Sequence, residues 1–378
     1  MSVETTRAAL VGAKRIVVKI GSSSLTGENG TLNPDAITAV ADALAVRRLA
    51  GDQVVLVSSG AIAAGITPPG HSSRPRDLAT QQAAASVGQG LLVAHYTRAF
   101  AGHGLTVAQV LLTAEDVIRR GQYKNAQRAL ERLLVLGIIP VINENDAVAT
   151  DEIRFGDNDR LAALVAHVVQ ADALVLLTDV DGLYNGHPKL ATSSRIPTIA
   201  SPDDLAGVEV TGRGSGVGTG GMTTKVDAAL TATGAGIPTL VAGAADVARA
   251  LQGEDVGTWF PATHPRPRTR RLWLAHAAHT QGRLILDDGA IRAITSGKRS
   301  LLAAGVVGVE GVFEAGDPVE LASTAGVVAA RGLVAYSSEE LPERLGRNSE
   351  DLVAEFGHGH DREVVHRDDL VVVRKRRA

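Results

Sequence analysis

RIVVKIGSSS, residues 15–24, joins a short apolar run to a loop of glycine and serine. Residues 16–20 are rich in Val and Ile without alternating polar positions, which is typical of a strand buried on both faces of a parallel sheet. Lys19 stands near the end of this run, and backbone N–H groups in the loop that follows could bind phosphate oxygens. By itself, the pattern is more typical of an ordinary strand end with a solvated turn.

Similar apolar runs recur along the first two thirds of the chain, at 54–57, 106–112, 138–142, 174–177 and 239–241. Helical patterns lie between them. The clearest begins at Asn33-Pro34-Asp35, an N-cap with proline in the first turn, and ends at Gly51. Others are predicted near 114–136, 158–170 and 223–232. The alternation of strands and helices predicts a mostly parallel sheet that is covered by helices on both sides.

The composition argues against several classes of protein. The chain has 378 residues, of which 45% are hydrophobic and 3% aromatic, and a net charge of −3. It contains no cysteine, which excludes disulfides and Cys-based metal sites. The charge gives no sign of a polyanion partner. We read neither a signal peptide nor an 18-residue apolar stretch, and therefore predict a cytoplasmic protein.

The pattern changes after residue 259, where prolines and arginines at 261–271 resemble an interdomain linker. Short runs at 283–286, 306–309 and 332–336 follow, separated by glycines. They predict a small β-rich domain, for which a barrel is one option. The predicted boundaries are a catalytic domain over 1–260, a linker over 261–275, a β-rich domain over 276–355 and a tail over 356–378.

Two further loops are candidates for binding phosphate. SSGAI, residues 58–62, follows a predicted strand at the end where ligands collect in α/β sheets. GSGVGTGG, residues 214–221, leads into MTTK and the helix that carries Lys225. No strand is predicted before this loop and no Gly-Lys-Ser/Thr triplet occurs, which argues against a dinucleotide fold and a Walker A motif. A lysine in the first turn opposes the helix dipole unless an anion binds beside it, although a surface lysine remains the alternative.

Acidic and amide residues cluster in NEND, residues 143–146, and DND, residues 157–159. Such groups could position magnesium, orient lysines or bind a substrate amino group. They are also common turn formers and caps, and for Asp157 a helix cap is as plausible as a catalytic role. Asp146 follows a predicted strand at its ligand-binding end, which favours function. Thr178-Asp179 follows another strand and could lie near a base or ribose, although Asp-Gly turns are common in that context.

In this order, these segments resemble the glutamate 5-kinase family of the amino acid kinase superfamily. The motifs that carry the resemblance are VKIGSS (18–23), SSGAIAAG (58–65), VINENDAVAT (141–150), FGDND (155–159) and GTGGMTTK (218–225). SVGQ, residues 86–89, matches the family's helix near the glutamate site. The region after the linker resembles a PUA domain, the pseudouridine synthase and archaeosine transglycosylase type.

The resemblance implies a three-layer α/β/α amino acid kinase fold with a mostly parallel central sheet, followed by a PUA-like β-rich domain. It implies ATP-dependent phosphorylation of the γ-carboxylate of L-glutamate, the first step of proline biosynthesis, with ATP and Mg²⁺. Family members are often inhibited by proline and form dimers or tetramers.

The resemblance also implies roles for individual residues. Lys19 and Lys225 would bind phosphate, Asp159 would hold them by charge pairing, and Asp157 would share the catalytic site. Four residues would bind glutamate: Ser59, Gly60, Asp146 and Asn158. The ATP site would comprise Lys19, Gly21, Ser22, Thr178, Asp179, Thr219, Gly220, Gly221, Met222, Thr223, Thr224 and Lys225. The ligands of Mg²⁺ are not indicated.

The chemistry fits these residue types. A side-chain carboxylate with an ordinary pKa of about 4.3 is ionised at neutral pH, so it needs no general base, and the five motifs contain no His or Cys. The obstacle is repulsion between an anionic nucleophile and a triphosphate. Lysines, glycine-loop amides and Mg²⁺ can offset that repulsion.

Two rival functions remain. Other amino acid kinases phosphorylate acetylglutamate, aspartate, carbamate or UMP on the same scaffold. Alternatively, the chain could be an RNA-binding protein, since PUA domains often bind RNA. Residues 276–350 hold seven Lys/Arg against ten Asp/Glu and few aromatics. That balance gives neither a basic footprint nor a stacking platform, which argues against RNA binding.

Overall fold

The computed structural model describes residues 7–27, 31–66, 77–113, 116–117, 120–148, 158–188, 190, 192–205, 221–262, 280–296, 299–356 and 362–372. The chain divides into two compact units. The first comprises residues 1–117 and 121–266, and the second comprises residues 118–120 and 267–378. Of the predicted linker, only residues 261–262 lie within the described ranges.

A seven-stranded sheet forms the centre of the first unit. Its strands are β1 (Arg15–Ile20), β2 (Gln53–Ser58), β3 (Val107–Leu112), β4 (Ile139–Glu144), β5 (Ala173–Thr178), β6 (Thr239–Gly243) and β7 (Thr258–Phe260). The spatial order is β3-β4-β2-β1-β5-β6-β7. Neighbouring strands are parallel except for β6 and β7, which pair antiparallel. The predicted mostly parallel sheet is therefore confirmed.

The described helices of this unit follow or separate the strands. They are α1 (Ala8–Gly12), α2 (Ser22–Leu25), α3 (Pro34–Leu49), α4 (Ala61–Ile66), α5 (Leu78–Ala101), α6 (Arg120–Val135), α7 (Asn158–Val168), α8 (Met222–Gly234) and α9 (Val247–Leu251). As the sequence predicts, Asn33 caps α3, and its side chain accepts hydrogen bonds from the backbone N–H groups of Asp35 and Ala36. The predicted helix over 114–136 is observed as α6, which begins at Arg120.

The central strands of the first unit are buried in its hydrophobic core. β1 lies between β2 and β5, and residues 16–20 are all buried. Ile37, Val40 and Leu44 of α3 lie in the same hydrophobic cluster as the apolar side chains of β1 and β2. Burial on both faces accounts for the uninterrupted apolar sequence of these strands.

The 24-residue helix α5 was not predicted as an element of that length. Its sequence mixes small residues, glutamines and glycines, so that it carries little apolar periodicity. Two glycines instead let it pack closely against α4. A Cβ on Gly65 would lie 1.8 Å from the Ala84 carbonyl oxygen, and a Cβ on Gly88 would lie 1.8 Å from the Ala61 carbonyl oxygen. This contact fixes the position of α5 beside α4.

A second sheet forms the centre of the second unit. Its strands are β8 (Gly282–Leu286), β9 (Val306–Gly311), β10 (Pro318–Ser323), β11 (Val328–Leu333) and β12 (Leu370–Val372), in the order β12-β11-β10-β8-β9. β8 and β10 are parallel, and the other neighbouring pairs are antiparallel. Helices α10 (Asp288–Ser296) and α11 (Ser349–Phe356) belong to the same unit. The prediction of a small β-rich domain is confirmed.

Details of this unit differ from the sequence analysis. The strand predicted over 332–336 is the end of β11, which stops at Leu333, and β10 was not predicted at all. The segment treated as a tail contributes β12, and its Val364 and Val365 are fully buried. A three-residue strand followed by RKRR offers no periodicity from which its pairing could be predicted.

We predict that Gly88→Ala lowers the free energy of unfolding by about 1–3 kcal/mol or more, because the new methyl group collides with a backbone carbonyl that cannot rotate away. Gly90→Ala is the matched control, since it lies in the same helix and its Cβ would meet no atom within 4 Å. That control should raise stability by about 0.5–1 kcal/mol. Urea unfolding of the two variants measures both values, and equal stability would refute the close contact between α4 and α5.

Candidate active site

Several of the predicted site residues that the structure describes lie at one edge of the first sheet. Lys19 is the penultimate residue of β1, Ser59 follows β2, and Thr178 ends β5. Since these strands are parallel neighbours, their carboxyl ends share one edge, which is where ligands bind in open α/β sheets. Asn143 and Glu144 end β4 at the same edge.

A buried carboxylate joins two lysines at this edge. Asp159, in the first turn of α7, is fully buried, and Lys19 and Lys225 are 2% and 7% exposed. The ammonium of Lys19 pairs with Oδ1 of Asp159. The ammonium of Lys225 donates to Oδ2 at 3.0 Å. Each lysine therefore lies on a different oxygen of one carboxylate, which brings the two positive charges together as predicted.

Neighbouring groups complete this charged cluster. Thr224 Oγ1 lies 3.1 Å from Asp159 Oδ2 and 2.8 Å from the carbonyl oxygen of Gly221, so that its hydroxyl is positioned by both acceptors. The backbone of Gly21 is also close, since a Cβ there would lie 3.7 Å from Lys19 Nζ. Two ammonium groups therefore meet on one carboxylate, at the end of β1 and in the first turn of α8.

Gly221 precedes α8, and no side chain among the described residues caps this helix end. The first backbone N–H groups of a helix have no partner within the helix and favour an anion. Met222 and Thr223 begin the helix, and Thr223 is exposed. Ser22 begins the short helix α2 after Gly21. Thr219, Gly220 and Asp157 lie outside the described residues.

An amide cluster lies at the ends of β2 and β4. Asn158 Nδ2 lies 2.8 Å from Ser59 Oγ, 2.8 Å from Asn143 Oδ1 and 3.2 Å from the Ser58 carbonyl oxygen. The adjacent Gly60 has a φ of +108°, a conformation that side-chain-bearing residues rarely adopt. Asn158 and Ser59, two of the predicted glutamate contacts, are thus hydrogen-bonded neighbours.

Helix α5 supports this cluster from behind. Gln89 Oε1 accepts a hydrogen bond of 2.7 Å from Asn143 Nδ2. Two turns later, the hydroxyl of Tyr96 lies 2.9 Å from Ser58 Oγ, and burial raises the pKa of Tyr96. The sequence analysis matched Gln89 to a helix near the glutamate site but assigned no role to Gln89, Asn143 or Tyr96. Only the tertiary contacts show that these residues meet, because neither a polar residue at a strand end nor one in a helix of small residues signals what it contacts.

The remaining predicted residues lie in turns after the strands. Asp146 is partly buried in the turn that follows β4. Thr178 is 5% exposed at the end of β5 and donates a hydrogen bond of 3.0 Å to Asp179, which is exposed. Among the described residues, no group of three or more His, Cys, Asp or Glu side chains could hold a metal ion.

Comparison with known proteins agrees with this geometry. Residues 14–243 match the amino acid kinase family, a span that contains Lys19, Asp159 and Lys225. The chain belongs to the amino acid kinase family. Residues 282–356 of this amino acid kinase match the PUA domain.

The sequence similarity to known proteins extends over nearly the whole chain. A protein from Thermobifida fusca named glutamate 5-kinase is 59% identical over 98% of this chain and 96% of its own length. One from Streptomyces coelicolor with the same name is 57% identical over 97% of this chain and 98% of its own length. A third, from Bifidobacterium longum, is 52% identical over 97% and 98% of the two chains. None of the described helices is long and apolar enough to cross a membrane.

We predict that Asp159→Asn lowers the free energy of unfolding by about 3–5 kcal/mol, because it removes the buried carboxylate on which both ammonium groups converge. Phosphoryl transfer should be lost with it. Urea unfolding and an assay of ADP release measure the two effects.

Asp52→Asn is the matched control. Asp52 is 4% exposed and also contacts two cations, Lys14 and Arg47, but it precedes β2 at the opposite edge of the sheet. This variant should lose stability and keep its activity per folded molecule. An Asp159→Asn variant that is as stable and as active as the unaltered chain would contradict the buried cluster.

Proposed function

We propose that this amino acid kinase transfers the γ-phosphoryl group of ATP to the side-chain carboxylate of L-glutamate, the first step of proline biosynthesis. One observation carries the proposal: Lys19 and Lys225 meet on the two oxygens of Asp159 at the ligand-binding edge of the sheet. The relatives named glutamate 5-kinase support glutamate as the acceptor, because their similarity spans both units of the chain.

The reaction brings together two anions, a carboxylate and a triphosphate. The cations that offset their repulsion are most effective where water is excluded, and both lysines are largely buried. We propose that their ammonium groups contact oxygens of the phosphoryl group as it moves between donor and acceptor. The uncapped N-terminus of α8 would add backbone donors on the same group.

No general base is required. The glutamate side chain has an ordinary pKa of about 4.3 and is ionised at neutral pH. One of its oxygens forms the new bond to the γ-phosphorus as the bond to the bridging oxygen breaks, and ADP leaves with that electron pair. Catalysis then consists of positioning and charge stabilisation.

Glutamate recognition is assigned to the end of β2 and the turn after β4. Ser59 and Asn158 are hydrogen-bonded to each other there, Gly60 shapes the turn, and Asp146 supplies a carboxylate for the substrate ammonium. Nucleotide contacts are assigned to Gly21, Ser22, Thr178, Asp179 and the segment 219–225, and Asp157 to the catalytic site. Mg²⁺ would neutralise charge on the phosphates. It usually keeps several waters and needs only one or two carboxylates beside the phosphates.

The family resemblance supports finer proposals. We propose a homo-oligomer in the cytoplasm that is inhibited by proline, with a catalytic domain over 1–260 and a PUA-like domain over 276–355. We propose that the PUA-like domain does not serve to bind RNA. Arg283 and Arg331 of this domain both pair with Glu320, which leaves less positive charge available to a phosphate backbone.

Trapping the acyl phosphate with hydroxylamine tests the proposed reaction directly. Signal should require ATP and L-glutamate and should be absent with acetylglutamate or aspartate as acceptor, and ADP release should stay at background with carbamate or UMP, because UDP offers hydroxylamine no acyl phosphate to trap. We predict that Lys225→Ala lowers kcat about 100- to 1000-fold, because it removes a contact that is strongest in the transition state, while KM for glutamate changes far less.

Lys124→Ala is the control for that variant, since Lys124 lies exposed on α6 and its loss should leave kcat unchanged. An unaltered kcat in Lys225→Ala would remove Lys225 from the catalytic residues. A substrate other than glutamate in the hydroxamate assay would refute the proposed reaction itself.

A further inference from the structure

In the amide cluster behind the proposed glutamate site, the donor and acceptor atoms of each side-chain amide can be assigned. Two backbone groups identify them, because a backbone N–H can only donate a hydrogen bond and a carbonyl can only accept one. The N–H of Glu144 donates to Asn143 Oδ1 at 2.9 Å. The carbonyl of Ser58 accepts from Asn158 Nδ2 at 3.2 Å. These two contacts show which way each asparagine amide faces, and Gln89 bonds to the other side of the Asn143 amide.

The orientation of Asn143 requires an acceptor behind it. With Oδ1 turned towards Glu144 N and Asn158 Nδ2, its own Nδ2 points to Gln89. Gln89 Oε1 accepts at 2.7 Å, and Gln89 is 7% exposed. Its Nε2 is buried and has no hydrogen-bond partner among the described residues. Burying the Nε2 group of Gln89 without a hydrogen-bond partner costs free energy. The hydrogen bond that Oε1 accepts from Asn143 is a reason for a glutamine at this position.

The orientation of Asn158 determines what the substrate meets. Its Nδ2 is engaged with Ser58, Ser59 and Asn143, so its Oδ1 lies on the other side of the amide. Ser59 Oγ accepts from Asn158, so the hydroxyl proton of Ser59 stays available to donate. An acceptor and a donor side by side complement the ammonium and the carboxylate of an amino acid.

Helix α5 is held firmly enough to serve this purpose. Gln89, Leu92, Tyr96 and Phe100 form one buried face of the helix, at a spacing of three to four residues. Gly88 lies against the backbone of α4, next to Gln89. The hydroxyl of Tyr96 reaches Ser58 from the same face. α5 thus has hydrogen bonds to both strand ends that carry the cluster.

We propose that Gln89 is a positioning residue: by accepting from Asn143 it helps to fix the amide of Asn158, so that Asn158 Oδ1 receives one N–H of the α-ammonium group whose charge Asp146 balances. The inference rests on the proposed function and assigns the amino-group selectivity of that site to a side chain that does not contact the substrate. Gln89 acts only through Asn143.

Gln89→Met tests the proposal, because methionine fills a similar volume without an acceptor. KM for L-glutamate should rise roughly three- to tenfold, the range expected for one lost hydrogen bond, with KM for ATP unchanged. Glutarate, which lacks the amino group, should inhibit this variant and the unaltered chain with equal Ki. Gln127→Met is the matched control. Gln127 donates at 3.2 Å to the carbonyl of Val168 at the far end of α7, so its loss should affect stability and neither constant.

A double-mutant cycle separates this role from simple packing. In an Asn143→Leu background the acceptor of Gln89 has nothing to bind, so that adding Gln89→Met should cause no further rise in KM. Additive effects of the two substitutions would overturn the inference, as would equal changes for glutamate and glutarate or an unchanged KM in Gln89→Met. If the unaltered chain makes no acyl phosphate from glutamate, the proposed function fails first and the inference falls with it.

Discussion

The fold and the proposed chemistry both depend on one buried carboxylate. Asp159 has no exposed surface, and it holds two ammonium groups that belong to β1 and α8. Burying three charges is unfavourable unless each is paired, and here the pairing ties the central strand to two helices. Both ammonium groups lie at the strand ends, where we propose that they contact the phosphoryl group.

The rest of the site follows from how a parallel sheet ends. β1, β2 and β5 deliver Lys19, Ser59 and Thr178 to one edge, and β4 brings Asn143 beside them. The helices that follow β1 and β2 begin at this edge, so the first backbone N–H groups of these helices lie at the same edge as Lys19. The parallel topology of the sheet therefore brings charged groups and hydrogen-bond donors together at one edge.

The sequence was informative where chemistry and periodicity coincide. Val and Ile at 16–20 predict β1, and the lysine at its end could be connected to Lys225 through the family motifs. Asp159 was assigned its pairing by the same resemblance, and the geometry agrees. Long-range contacts that leave no local pattern were not predictable. Helix α5 is held in place by close contacts at glycines, a residue type that in sequence usually indicates a break in a helix. The contact of Gln89 is made with Asn143, which lies 54 positions away in sequence. β12 was not predicted because a run of three apolar residues is too short to indicate a strand or its pairing partner.

The most direct test of the account is a crystal structure with ADP, Mg²⁺, L-glutamate and a fluoroaluminate that mimics the phosphoryl group in transfer. We expect Nζ of Lys19 and Nζ of Lys225 each to lie within about 2.7–3.1 Å of a fluorine or phosphate oxygen, with the glutamate side-chain carboxylate in line with the bridging oxygen. Fluoroaluminate bound at a distance from either lysine, with both ammonium groups still engaged only by Asp159, would contradict it.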